Sequence, residues 1–338
     1  MDVVINRRTL LHDMLNLYND QEIVERQLRV EFLGEQGDDL GGLTKDLFTS
    51  LWSEVVTKYF RGENAVVPFL PLYQQATMKE HYTPIGRILC HTASLLQIIP
   101  IRLSRTMLVC LIYGNESIGE EMLLSDFLLF LNPMERTIVQ LALTKFSDLN
   151  DRQVKLLTDM FGAFGYQDIP RVGTIRLQIA TIARNELVDK PAPLVALMRK
   201  GIPEHQFESF WSHLTIDDIS TIMHAQMPTG QKVVDVLNTG DAVLTQQQEN
   251  AIYFLKSFIL TADHEELAKF LWFVTGSTVQ PLKIDILFLT MHGAARRPIA
   301  HTCSNTLELS DNYWSFQDMR EEFRHVLSSP HSFEMNMI

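Results

Sequence analysis

The sequence predicts a mostly helical α+β protein built from two parts of unequal size. Apolar residues recur with helical spacing through most of the first 230 positions, whereas two short apolar windows near the end, Ile284–Leu289 and Thr306–Leu309, are typical of strands. At 338 residues the chain exceeds what one hydrophobic core usually serves. We therefore expect two domains, or a large lobe followed by a smaller one.

Composition excludes several classes of protein. With 46% hydrophobic and 21% charged residues, the chain is expected to fold rather than to be disordered. A net charge of -12 without a basic cluster argues against nucleic acid, because phosphate binding needs clustered lysine and arginine. No apolar run reaches the roughly 20 residues that cross a membrane, and we expect no signal peptide. Three cysteines do not make a disulfide framework, so we expect a cytoplasmic or nuclear protein.

The first elements follow from local patterns. Arg7–Val24 is predicted to be an amphipathic helix, and Leu28–Leu33 alternates like a strand. The glycine-rich turn Gly34–Gly42 then leads into a helix over 44–59. Such a turn can bind phosphate, but the Walker lysine is missing and three acidic side chains would repel an anion. The alternative is a tight turn whose acidic residues cap the helix, and the sequence favours it.

The middle of the chain is predicted to be helical after an irregular, proline-punctuated stretch at 61–84. The segment Val172–Ile179 fits a strand and a helix equally well. Helices are predicted over 85–98, 102–113, 121–131, 132–145, 151–161, 194–199, 204–214 and 217–226.

A domain boundary is predicted at Met227–Gln231. Proline ends the preceding helix and glycine frees the backbone, so Pro228, Thr229 and Gly230 form the expected hinge. The first domain then covers residues 1–227, the hinge 228–231 and the second domain 232–338. Within the second domain, helices are predicted to begin at the capping residues Thr245 and Asp263 and near Ser315.

Cys303 is the candidate nucleophile. It lies in the polar stretch Arg297–Asn305 between the two predicted strands, and such connections often carry chemistry. Cys90 and Cys110 lie in apolar helical windows instead. A buried cysteine behaves as a small inert hydrophobic residue, whereas an exposed one near cations can present a thiolate.

Several stretches resemble the HECT domain of E3 ubiquitin ligases, in the same order along the chain. They are Val30–Leu43, Tyr82–Leu89 with Ile99 and Pro100, Phe273–Ser277 with Pro281, and Pro298–Cys303 with Asn305 and Leu307. Within the family, the sequence is most similar to the divergent HECT domains of the G2/M phase-specific E3 ligase group.

The resemblance implies a bilobal fold in which a large helical N-lobe docks an E2 enzyme carrying ubiquitin. A hinge would join it to a small α/β C-lobe, whose Cys303 takes ubiquitin as a thioester and passes it to a lysine of a protein substrate. The implied partners are therefore an E2, ubiquitin and protein substrates, with no cofactor.

The chain also departs from the family pattern. Arg297 stands where the family usually has leucine, and Ser304 where it has phenylalanine. The C-terminal phenylalanine, commonly fourth from the end, is Phe333, the sixth. Residues 146–200 do not match the usual E2-binding subdomain, so no E2-contact residues are carried over.

Residues around Cys303 have several candidate roles. His301 either shapes the site electrostatically, or is an exposed residue without a role, or acts as a general base. It lies two residues before Cys303, so on an extended segment the two side chains would point to the same side of the chain. Thr302 is expected to fix the loop backbone, and Ser304 and Asn305 to help position ubiquitin. Arg296 and Arg297 can lower the thiol pKa, and Glu308 or Asp311 can accept a proton during attack by lysine.

Phe333 has two candidate roles. It either anchors the C-terminus by packing on the last helix or helps to place ubiquitin and its acceptor.

Two other functions stay open at this point. The fold can serve as a binding or scaffold module with weak or no ligase activity, which the altered neighbours of Cys303 favour. A cysteine hydrolase is disfavoured because no base and orienting partner are visible. Zinc is also disfavoured, since no paired cysteine or histidine spacing is present.

Overall fold

The computed structural model describes residues 1–35, 41–241, 243–289, 296–329 and 333. It is mostly helical with small sheets, as the sequence predicts. Among the described residues, no helix is long and apolar enough to span a bilayer. The glycine-rich turn Gly34–Gly42 lies partly outside the described residues.

Helices make up most of the chain. The α-helices are Leu10–Leu17 (α1), Gly42–Tyr59 (α2), Gln75–Met78 (α3), Tyr82–Leu96 (α4), Arg105–Tyr113 (α5), Glu120–Phe130 (α6), Pro133–Lys145 (α7), Asp151–Ala163 (α8), Ile175–Arg184 (α9), Ala192–Gly201 (α10), Glu204–Ser209 (α11), Ile216–Gln226 (α12), Gly230–Asp235 (α13), Gln246–Thr261 (α14), His264–Thr275 (α15) and Phe316–Ser328 (α16).

The strands form small sheets. They are Asp2–Ile5 (β1), Arg29–Phe32 (β2), Phe60–Arg61 (β3), Val67–Pro68 (β4), Leu237–Asn238 (β5), Ile284–Leu289 (β6), Ile299–His301 (β7) and Thr306–Ser310 (β8). β1 pairs with β2 in parallel, and β3 pairs with β4 antiparallel. The largest sheet has the order β5-β6-β8-β7, with β6 and β8 parallel and β7 antiparallel to β8.

Among the residues that the structure describes, the buried apolar side chains form two clusters that follow each other along the chain. The first extends from Val3 to Met223, and the second from Val233 to Leu327. The second is built by α14, α15 and α16 on the largest sheet, with Phe258, Phe270 and Phe323 packed together at its centre. The change from one cluster to the next falls at the segment that the sequence predicts to be a hinge.

The N-terminal half of α2 contacts the end of α15, so elements of the two clusters touch. Thr49 Oγ1 donates a hydrogen bond of 2.9 Å to the carbonyl of Gly276. Trp272 Nε1 donates one of 2.7 Å to Asp46 Oδ1. Asp46 is fully buried, and Arg7 forms a salt bridge of 2.6 Å with its other oxygen. This contact positions the start of α2 beside the sheet that carries Cys303.

The predicted helix over Arg7–Val24 is wrong in extent. α1 ends at Leu17, and a separate 3₁₀ turn follows at Gln21–Glu25. The side chain of Asp20 accepts a hydrogen bond from Glu22 N–H and so begins the new turn. Short polar side chains of this kind compete with helix continuation by binding the backbone locally.

Other expectations are confirmed or resolved. The strand at Leu28–Leu33 is present as β2, and the predicted cap residues Thr245 and Asp263 each accept a backbone N–H bond at a helix start. The last helix begins next to Ser315, as predicted, and Ser315 caps it in the same way. The ambiguous segment Val172–Ile179 enters α9. The strand β7 was not predicted, because three residues are too short to show a period of two.

Candidate active site

Cys303 lies in the turn of a β-hairpin. Strands β7 and β8 pair antiparallel, and the pair His301 and Thr306 closes a four-residue turn. Ser304 N–H donates to the carbonyl of His301 at 3.2 Å, as in a β-turn. Asn305 has a positive φ of 51°, a conformation that asparagine tolerates better than most residues. The sequence therefore folds here into a tight turn that presents the cysteine.

Cys303 is exposed, whereas Cys90 and Cys110 are buried. Burial raises the pKa of the Cys90 thiol to about 11 and that of Cys110 to about 12, since the charged thiolate loses its hydration. The two buried thiols are therefore unsuited to nucleophilic chemistry, as the sequence predicts. Cys303 alone of the three is accessible to a large acyl donor.

The turn is held by its neighbours on both sides. Ser304 Oγ lies 2.8 Å from Thr306 Oγ1 and also donates to the carbonyl of His301 at 3.3 Å. Thr302 is only 8% exposed and packs against the start of α2. A Cβ atom added at Gly42 would lie 2.5 Å from Thr302 Oγ1 and 3.0 Å from the backbone nitrogen of Cys303. The close approach of the helix to the turn therefore requires glycine at position 42.

Lys45, on α2, contacts the turn that carries Cys303. The sequence alone did not predict this contact. Its Nζ donates a hydrogen bond of 3.2 Å to Asn305 Oδ1. Burial lowers the pKa of Lys45, and the negative charge of Cys303 opposes that shift. Only the position of Lys45 just after the glycine-rich turn could have drawn notice, because no sequence period connects residues 260 positions apart.

His301 faces Glu308 on the neighbouring strand. The distance from His301 Nε2 to Glu308 Oε1 is 2.9 Å, and the histidine side chain is half exposed. The expectation of an extended segment from His301 to Cys303 is wrong, because the strand ends at His301 and the turn begins at Thr302. The glutamate orients the imidazole, and His301 and Cys303 do not share one face of a strand.

Arg296 is bound to α16. Its guanidinium lies 2.9 Å from Asp318 Oδ2 and 2.8 Å from Glu322 Oε2, and it stacks over Tyr313. The hydrogen bonds from Arg296 lower the pKa of Asp318. None of these contacts joins Arg296 to Cys303, so its expected help to the thiol has no contact to support it.

Phe333 packs against Trp272, with ring centroids 4.9 Å apart. Trp272 belongs to α15, so this ring contact differs from the expected anchoring on the last helix. The same ring lines a cavity with Arg7, Leu10 and Ser53 from the N-terminal part of the chain. Phe333 therefore lies where elements of the two clusters meet.

The predicted hinge residues join α12 to α13. Thr229 Oγ1 accepts a hydrogen bond of 3.2 Å from Lys232 N–H and caps α13, and Pro228 is buried. A Cβ atom at Gly230 would lie 2.9 Å from the carbonyl oxygen of Ile259. The glycine is thus required by close packing, and its φ is not among the positive values that only glycine adopts readily.

The fold and the hairpin define a mostly helical α+β protein with an exposed cysteine at the tip of a small sheet. Residues 175–336 match the family model of the HECT domain, a ubiquitin-transferase domain. The match includes the Cys303 turn and supports a HECT domain in this part of the chain. The resemblance of Val30–Leu43 and of Tyr82–Leu89 with Ile99 and Pro100 to the family lies outside the matched residues and stays a prediction. No curated protein matches the chain.

Proposed function

We propose that the protein is a HECT-type E3 ubiquitin ligase module in which Cys303 receives ubiquitin from an E2 enzyme as a thioester. The observation that carries the proposal is the exposed thiol of Cys303, held in a defined turn within the residues that match the ubiquitin-transferase family. Membership of the G2/M phase-specific group is a further prediction that this match does not address.

The chemistry suits an exposed thiol without a strong base beside it. The sulfur of Cys303 attacks the ubiquitin carbonyl, the bond to the E2 sulfur breaks, and the E2 thiolate leaves. One thioester replaces another, so the step is nearly balanced in energy and depends on access and positioning. Backbone N–H groups of the turn are candidates for stabilising the oxyanion of the intermediate.

Residues 1–227 would dock the E2, and the segment 228–231 would let residues 232–338 turn toward it. The succession of two apolar clusters along the chain supports this division, since each part has its own buried residues. Domain closure of this kind is usual where a reactive group and its donor lie on different lobes.

The test is a ubiquitin-loading assay with E1, a panel of E2 enzymes and the whole chain, read on a non-reducing gel. We expect a ubiquitin adduct that a thiol reductant removes. Cys303→Ala should abolish it, and Cys303→Ser should give an oxyester that resists reductant but not alkali. Cys110→Ala serves as the matched control, because its thiol is buried. An adduct that persists in the Cys303→Ala variant would disprove the proposal.

The second candidate is a binding or scaffold module of the same fold. It is favoured by the family match beginning only at residue 175, which leaves residues 1–174 of the proposed E2-docking part unmatched. In that case no E2 in the panel should load Cys303, although the protein remains folded.

A further inference from the structure

Lys45 and Cys303 approach each other because the first turn of α2 packs on the β7–β8 turn. Gly42 contacts Thr302 and the backbone of Cys303, and Lys45 lies three residues further along the helix, on the same face. Lys45 Nζ then donates to Asn305 Oδ1 at 3.2 Å. The amine is thus held at the turn that carries the thiol, within electrostatic range of it.

We propose that Lys45 is an acceptor for the ubiquitin carried on Cys303 of the same chain, so that the protein modifies itself at this position. The inference rests on the proposed function, since Cys303 must first be loaded. It adds a modification site that the family match does not specify.

The step balances without any further reactant. The neutral amine of Lys45 attacks the thioester carbonyl, a C–N bond forms, and the C–S bond to Cys303 breaks. The proton lost by the amine ends on the departing sulfur, so the products are a free Cys303 thiol and an isopeptide on Lys45. An amide replaces a thioester, which makes the transfer strongly downhill.

The environment of Lys45 favours the reactive form of the amine. Its side chain is half-buried, and burial lowers its pKa because the ammonium loses hydration. The negative charge of the Cys303 thiolate works in the opposite direction. A thioester carries no charge, so a loaded Cys303 does not oppose this lowering of the Lys45 pKa.

Other lysines are less suited to the reaction. Lys283 precedes β6, and its side-chain nitrogen is paired with Asp285 at 2.8 Å, so a carboxylate already engages it. Lys58 is exposed at the far end of α2, about 20 Å from Lys45 at 1.5 Å per residue. Holding an amine beside the thioester gives an intramolecular reaction a large advantage over one between molecules.

The test uses the whole chain and ubiquitin that carries a C-terminal thioester to mercaptoethanesulfonate, which can load a thiol without an E2. The products are divided into two halves, of which one is treated with reductant and the other is not. Tryptic peptides are then searched for the Gly-Gly remnant on each lysine. The reaction is repeated at several protein concentrations. The rate per molecule of transfer within one chain does not change on dilution, whereas the rate of transfer between chains falls.

We expect a reductant-resistant adduct with its remnant at Lys45, formed after the thioester and absent from Cys303→Ala. Lys45→Arg keeps the positive charge and should reduce this adduct at least about tenfold relative to the loaded Cys303. Lys58→Arg and Lys283→Arg are the matched controls and should leave it in place.

A reducible adduct on Cys303 without modification of Lys45 would overturn this inference and leave the proposed function standing. Failure of Cys303 to load would overturn both. A remnant at Lys45 that forms equally in Cys303→Ala would show direct attack on the reagent and would also overturn the inference.

Discussion

The indole N–H of Trp272 donates a hydrogen bond of 2.7 Å to the buried carboxylate of Asp46, 226 residues earlier in the chain. This bond joins α15 to α2 and, with the salt bridge from Arg7, compensates the burial of the charge. Both partners lower the pKa of Asp46, but desolvation by burial has the larger effect and raises it overall. The relationship holds the start of α2 near the Cys303 turn.

Replacing Trp272 with phenylalanine should destabilise the protein, because the ring is kept and the donor to Asp46 is lost. Removing one donor to a buried charged group typically costs about 1–3 kcal/mol in the free energy of unfolding. Urea denaturation followed by circular dichroism measures the change. Trp314→Phe is the matched control, since Trp314 is 84% exposed, and an equal effect at both positions would contradict the expectation.

His301→Ala should slow the loading of Cys303 by less than about tenfold, because the imidazole is bound to Glu308 and lies before the turn. If His301 were a general base, it would increase the rate of loading roughly 100-fold or more. The initial rate of thioester formation under single-turnover conditions is the measurement. Glu308→Gln should resemble His301→Ala if the pair only shapes the site, and a loss beyond 100-fold would assign a catalytic role to the histidine.

Gly230→Ala should destabilise the second apolar cluster, because the added methyl group would meet the carbonyl of Ile259 at 2.9 Å. Overpacking of this kind typically costs about 1–3 kcal/mol. Thermal unfolding of the variant measures it. Gly173→Ala offers a control, since Gly173 has open space around its Cα and no positive φ. If both variants unfold at the same temperature, position 230 is not sterically constrained.

The Arg296–Asp318 pair should make stability depend on pH. The pKa of Asp318 is lower in the folded protein than the ordinary 3.8, chiefly through hydrogen bonds from Arg296. A depressed carboxyl pKa contributes stability that is fully present above the unfolded value and is lost as the pH falls through the folded one. Asp318→Asn should therefore destabilise at pH 7, and the difference from the wild type should shrink below pH 3.8.

Urea denaturation of the wild type and Asp318→Asn at pH 7 and at pH 3 provides the comparison. Asp241→Asn is the control, because Asp241 is exposed and should have little effect at either pH. A difference between wild type and Asp318→Asn that stays constant with pH would show that the ion pair does not carry the effect.

Local signals in the sequence predicted most of the helices and the exposed thiol. Caps such as Thr245 act through neighbouring residues, and so does helical spacing of apolar residues in α15. The residues with that spacing are all buried: Leu267, Phe270, Leu271 and Val274. The helix over Arg7–Val24 was too long because the local capping by Asp20 competes with the helical period. The division into two lobes and the hinge remain predictions.

The sequence by itself determined which cysteine is available, because the apolar windows around Cys90 and Cys110 bury their thiols and the polar turn leaves Cys303 exposed. Only the tertiary structure decided that Gly42 and Lys45 lie against that turn. Helical and strand periods reflect contacts a few residues apart, whereas the contact between α2 and the β7–β8 turn depends on how complete elements pack.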